Sequence, residues 1–172
     1  MSEENRPTVV LVRHGATEWS ESGQHTGLTD MALLSEGEDE ARALAPLLEG
    51  RSFALVISSP LDRATRTAEL RDEADPDWTV FTGDIPGGEE AAEVGTRADR
   101  VIARCLAADG EVALVGHGHF LRIVAARWLG LEVRDGRLFH LSSGTISELD
   151  WEREQPVIKT WGLKPGLVEP PA

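Results

Sequence analysis

The chain has 172 residues, a single cysteine and a formal net charge of −13. That length fits one domain over residues 1–172, large enough to bury a core. The lone Cys105 excludes an internal disulfide and a zinc cluster built on cysteines, and the acidic balance argues against nucleic acid as a partner. No apolar run reaches the roughly 20 residues that cross a bilayer, and the polar start MSEENRP is not a secretory leader. The expectation is therefore a cytoplasmic protein with no membrane partner. An anionic ligand would have to be held by a local cluster of arginines, against the overall field.

Thr8–Val12 is a short run of apolar and β-branched residues, which predicts a buried, parallel strand. It breaks at once into Arg13-His14-Gly15. Open α/β sheets place their ligands at the C-terminal ends of such strands, and Gly15 permits a sharp turn or a close backbone approach there. Residues 21–30 are polar and contain two glycines, which reads as a loop. Ser35 with Glu38 has the spacing of a capping box, opening a helix to about Glu49 that carries an apolar stripe of Ala41, Leu44, Ala45, Leu47 and Leu48. Gly50 stops it.

Phe53–Ile57 predicts a second buried strand, and Pro60 suits the first turn of the helix that follows. Arg63 lies one turn into that helix, at a strand's C-terminal edge, where an arginine adds a two-pronged donor for an anion. Position alone favours a solvated arginine; Arg66 and Arg71 read as solvated. The stretch 72–90 is irregular, with a short edge strand at Trp78–Thr82. A helix from about Glu89 to Ala107 follows, whose spacing of Val94, Ala98, Val101, Ile102 and Cys105 makes the cysteine a core residue.

Glu111–Val115 predicts another strand, ending in Gly116-His117-Gly118-His119. Two apolar strands thus each end in a histidine flanked by glycine. In a parallel sheet both ends share one edge, so His14 and His117 can meet in space. A helix from Phe120 to about Leu129 ends at Gly130. Arg137–Leu141 and Thr145–Trp151 predict strands joined by a Ser-Ser-Gly turn, Val157–Trp161 a further one, and about 165–172 a frayed tail.

The segments LVRHGATEW, HTGLTD, SSPLDRATRTAEL, PGGEEAAEVGTRADRVIA and VGHGHFLRIVAARWLGL, in this order and spread over nearly the whole chain, resemble the histidine phosphatase superfamily, also called phosphoglycerate mutase-like. The pattern is most similar to the bacterial broad-specificity acid phosphatase branch. The resemblance implies a three-layer α/β/α sandwich with a mostly parallel central sheet. It implies a phosphatase that hydrolyses phosphomonoesters through a phosphohistidine on His14, with Arg13, Arg63 and His117 around the phosphoryl group and with neither metal nor cofactor. A small phosphorylated substrate is then the expected partner. Ser20, Thr26 and Gly27 match positions that contact phosphate in the family. His119 is a candidate for a substrate-facing or supporting role, and equally for a structural one.

One part of the pattern is missing. Relatives of this branch carry, between the SSP-R helix and the PGGE helix, a segment with the glutamate that protonates the leaving oxygen. Roughly 25 residues are absent here as a block, and general acid catalysis is worth about 10²–10⁴-fold. Three outcomes stay open. Another carboxylate substitutes, Glu89 first, then Glu90, Asp84 or Glu73. The substrates are aryl phosphates or phosphohistidine, whose leaving groups need little help. Or the protein binds phosphate with impaired or no catalysis. Glu89 at the head of a helix would also simply stabilise that helix's N-terminus.

Overall fold

The computed structural model describes residues 6–22, 29–69 and 91–165. The predicted edge strand at Trp78–Thr82, Arg71 and the tail lie outside them. The elements in chain order are β1 (Val9–Arg13), α1 (Glu18–Ser22), α2 (Ser35–Leu48), β2 (Phe53–Ser58), α3 (Asp62–Glu69), α4 (Ala91–Leu106), β3 (Glu111–Gly116), α5 (Gly118–Trp128), a 3-10 helix (Val133–Leu138), β4 (Thr145–Glu152) and β5 (Gln155–Leu163).

The sheet order is β2-β3-β1-β4-β5. Strands β2, β3 and β1 run parallel, while β4 pairs antiparallel with β1, and β5 antiparallel with β4. The parallel half is the half that carries the histidines. Successive side chains of a strand point to opposite faces, and β1 is apolar on both. Val9 and Leu11 pack in one cluster with Val101 and Cys105 of α4 and Leu121 and Val124 of α5. Val10 and Val12 pack in another with Leu44 and Leu48 of α2 and Ala64 of α3. This gives helices on both faces of the sheet, a three-layer sandwich. Each of these buried valine and leucine side chains contributes about 1.5–3 kcal/mol. Cys105 is 1% exposed, and burial pushes its thiol up to about 11, so it serves the core and not as a nucleophile.

Two local expectations are corrected. Ser35 does not cap α2: the N-cap is Leu34, with no side-chain cap. The Ser35 hydroxyl donates to Glu36 at 2.9 Å, and Glu38 is drawn away by Arg42 at 2.6 Å. The start of the helix is set instead by tertiary contact, through the Leu34 N–H donating to the Ala16 carbonyl at 3.0 Å.

Residues 137–141 do not form a strand either. Val133–Leu138 is a 3-10 turn, because Arg122 of α5 donates to the carbonyls of Gly136 and Arg137 at 3.0 and 3.1 Å, and Asp135 takes the Glu132 N–H at 3.1 Å. Both edges of β4 are already occupied, by β1 and β5.

Gly15 and Gly37 are needed because two backbones touch. A Cβ on Gly15 would stand 2.0 Å from the Gly37 carbonyl oxygen, and one on Gly37 would stand 2.1 Å from that of Ala16. Neither obstacle is a side chain that can swing aside. Gly37→Ala is therefore expected to destabilise the protein by about 3 kcal/mol or more, read as a lowered midpoint in urea unfolding. A change within a few tenths of a kcal/mol would contradict this packing.

Candidate active site

Register brings the two histidines together. Arg13 of β1 pairs with Gly116 of β3, so His14 and His117 leave adjacent parallel strands at the same level. The His14 N–H donates to the Gly116 carbonyl at 3.1 Å, and the His14 carbonyl accepts from Gly144 at 3.0 Å. The residue is thus fixed on both sides by the sheet. The two imidazole rings lie edge-to-face with centroids 5.1 Å apart.

His14 is 5% exposed. Its Nδ1 lies 2.7 Å from the carbonyl oxygen of Gly15. A carbonyl only accepts, so Nδ1 carries the hydrogen and the lone pair resides on Nε2. Burial, opposed by that hydrogen bond and reinforced by the cations of Arg13 and Arg63, lowers the His14 pKa to about 4. Burial, with the charges of His14, Arg63, Arg97 and Arg13, lowers that of His117 to about 3. Both rings are neutral near pH 7, and the Nε2 of His14 is an available nucleophile.

Two guanidinium groups act on both rings. Arg13 donates from Nη1 to the Leu141 carbonyl, and Gly118 lets it lie close, since a Cβ there would stand 3.0 Å from Cζ. Its buried Nε has no hydrogen-bond partner among the described residues. Arg63, on α3, is 1% exposed and donates from Nη1 to the Thr29 carbonyl at 3.1 Å, with Asp30 at 4.0 Å. Burial lowers its pKa and Asp30 opposes the shift. A residue whose position alone favours a solvated arginine is thus among the most buried in the chain. Arg66 is exposed, paired with Glu38 at 3.4 Å. A buried donor set of this kind suits an oxyanion despite the net charge of −13.

The remaining candidates divide. The Ser20 hydroxyl is engaged locally, accepting from the Thr17 N–H at 2.8 Å and facing the Thr17 carbonyl at 2.9 Å. His119 is exposed, in the first turn of α5. Thr26, Gly27 and Glu89, with the other carboxylates Glu73, Asp84 and Glu90, lie outside the described residues.

Two hydroxyls not singled out from sequence join the site. Ser59, just past β2, has its Oγ 2.6 Å from His117 Nε2. Thr67, 2% exposed, accepts from the Gly15 N–H at 3.3 Å and donates to the Arg63 carbonyl at 2.7 Å, joining α3 to the loop that follows β1. A serine after a strand's C-terminal end was the signal for the first. For the second there was none, since its partner is 52 residues away.

Comparison with known proteins bears on the whole of this arrangement. The chain matches the model of the "Histidine phosphatase superfamily (branch 1)" in two pieces, residues 9–80 and 71–164. It is similar to an acid phosphatase of Mycobacterium tuberculosis, 31% identical over 186 aligned positions that cover 90% of this chain and 92% of that one. It is 28% identical to a Salmonella choleraesuis protein named "Probable phosphoglycerate mutase GpmB", covering 89% of each chain. Among solved structures, that of an open reading frame product of Mycobacterium tuberculosis superposes with a TM-score of 0.78 at 30% identity, covering 92% of this chain and 98% of that one. The alpha-ribazole phosphatase of Shigella flexneri shares the fold, with a TM-score of 0.75 at 24% identity over 95% of this chain and all of that one.

Proposed function

We infer, since this chain belongs to the histidine phosphatase superfamily (branch 1), that it is a phosphatase hydrolysing phosphomonoesters through a phosphohistidine on His14, with no metal requirement. The observation that carries this reading is the pinned tautomer of His14, with Nδ1 tied to the Gly15 carbonyl at 2.7 Å and Nε2 left as a lone-pair donor beside His117. In the first step Nε2 bonds to phosphorus as the phosphorus–oxygen bond to the leaving group breaks, and that oxygen departs with the bonding pair. In the second, water attacks phosphorus as the phosphorus–nitrogen bond breaks with its pair returning to Nε2, the water's proton passes to the departed oxygen or to solvent, and inorganic phosphate leaves with His14 restored. Arg13, Arg63 and His117 donate to the phosphoryl oxygens, where charge is greatest in the transition state.

The proton for the leaving oxygen is the weak point. The two pieces of the family match meet at 71–80, where the sequence reading placed the lost segment. The alignment with the mycobacterial acid phosphatase uses 186 positions for nine-tenths of a 172-residue chain, so the relative carries inserted residues. This favours substrates with good leaving groups, aryl phosphates or phosphohistidine, over simple alkyl phosphates. A direct test is turnover of p-nitrophenyl phosphate and of an alkyl phosphate in excess EDTA. Turnover of the first and not the second is the expected result. Equal rates would mean that a carboxylate such as Glu89 supplies the proton, which Glu89→Gln would then abolish. No turnover of either, with orthovanadate still bound, would make the chain a phosphate-binding protein and overturn the reading.

The lowered histidine pKa values set the pH response. Protonated His14 has no lone pair at Nε2, so kcat/KM, corrected for substrate ionisation, is expected to stay level down to about pH 5. It then falls with an apparent pKa near 4, and not near the ordinary 6.5. Stability follows the same groups. A histidine whose folded pKa is lowered binds its proton more readily when unfolded, so its contribution is complete above about pH 6.5 and is lost as pH falls toward 4 and 3. A melting temperature that drops between pH 7 and pH 4.5, and drops less in His117→Asn, is the check. A kinetic pKa near 6.5 would refute the burial argument.

A further inference from the structure

We propose that Ser59 is a positioning residue that holds His117 with its hydrogen on Nδ1, so that this ring meets the phosphoryl group as a neutral hydrogen-bond donor. The inference rests on the proposed phosphatase reading.

Ser59 is held firmly. Its N–H continues the β2–β3 ladder, donating to the Val115 carbonyl at 3.0 Å, and its carbonyl accepts from the Thr65 hydroxyl at 3.3 Å. Its Oγ has two contacts among the described residues: the Leu61 N–H, which donates to it at 3.4 Å, and His117 Nε2 at 2.6 Å. Among the described residues, the hydroxyl hydrogen therefore has one acceptor available, the lone pair of Nε2. If Nε2 carried the hydrogen instead, two donors would face each other unless the hydroxyl turned away, and among the described residues the hydroxyl hydrogen would then have no acceptor at a part-buried position, which costs part of the penalty of an unsatisfied polar group.

With Nε2 accepting, the hydrogen of the neutral ring is on Nδ1. That atom is buried and has no partner among the described residues. A buried donor without an acceptor is unfavourable in the free protein and favourable when an oxyanion arrives. The cations of Arg13, Arg63 and Arg97 all act on His117 and disfavour a second proton. An imidazole held neutral, with its one hydrogen directed by a hydroxyl, offers a donor without the energetic penalty of a buried charge. The two histidines then have complementary roles: Gly15 fixes His14 with Nε2 bare, and Ser59 fixes His117 with Nδ1 bearing hydrogen.

The test is ¹⁵N-detected imidazole spectroscopy of the full chain near pH 7, the His117 signals being assigned by their absence in His117→Asn. The expected spectrum shows His117 protonated at Nδ1, with that resonance moving on addition of orthovanadate. Ser59→Ala is expected to populate the other tautomer and to weaken orthovanadate binding and kcat by about tenfold, the value of one directing hydrogen bond. Ser59→Thr, which keeps the hydroxyl, is expected to retain both. A proton on Nε2 in the unsubstituted protein would overturn the proposal, as would a Ser59→Ala protein whose tautomer and orthovanadate affinity are unchanged. The unsubstituted spectrum decides the matter even where Ser59→Ala does not fold. Loss of turnover in every form, with the tautomer and orthovanadate responses intact, would count against the phosphatase reading alone.

Discussion

His14→Ala is expected to abolish turnover of an aryl phosphate, with kcat lowered by roughly 10⁴-fold or more, the scale seen when a covalent nucleophile is removed. Among the described residues, no other imidazole is placed to take its place. His117 has its Nε2 engaged with Ser59, and His119 is exposed on the first turn of α5. The backbone around residue 14 is held by the Gly116 carbonyl and the Gly144 N–H, neither of which involves the side chain. The alanine protein should therefore fold, and its loss should be in kcat far more than in KM, because Arg13 and Arg63, the proposed ligands of the phosphoryl oxygens, remain. The measurement is steady-state turnover, with a rapid alkaline quench that preserves phosphohistidine. A label on the unsubstituted protein that vanishes in His14→Ala is the expected pair of results. Retained turnover in His14→Ala would remove the basis of the proposed chemistry.

Arg63→Lys is expected to lower kcat/KM by about 10²–10³-fold, the range for loss of one preorganised oxyanion donor. Charge is kept, but the planar fork is not, and a lysine cannot donate in parallel to two oxygens. The present side chain is 1% exposed and already uses one nitrogen on the Thr29 carbonyl, which aims the rest of the group. A lysine reaching from the same position either makes that bond or meets the phosphoryl group. Arg66→Ala is the control: it is exposed and pairs with Glu38 on the surface, so activity should be unchanged. Equal losses in the two variants would mean that α3 acts through its overall charge and not through one buried fork.

What the sequence made legible was whatever repeats locally. A continuous apolar run marks a strand buried on both faces, and β1 and β3 are such strands. A histidine and a glycine where the run stops mark the edge at which an α/β sheet presents its chemistry. The failures were equally physical. Ser35 has the right neighbours for a cap, yet Arg42 competes for Glu38. Residues 137–141 are apolar enough for a strand, yet Arg122 takes the carbonyls of Gly136 and Arg137, and both edges of β4 are occupied.

The order of residues along the chain thus determined the buried strands, the family and the pair of histidines, because each is written in a contiguous stretch whose pattern has one physical solution. Folding in three dimensions decided which arginine is buried, which way each imidazole carries its hydrogen, and that Ser59 and Thr67 belong to the site. Those facts depend on strand register and on the rotation of α3 against β1 and β3. Register and rotation are set by packing across 50 or more residues of intervening chain, as in the 52 that separate Gly15 from Thr67, and no local pattern encodes them.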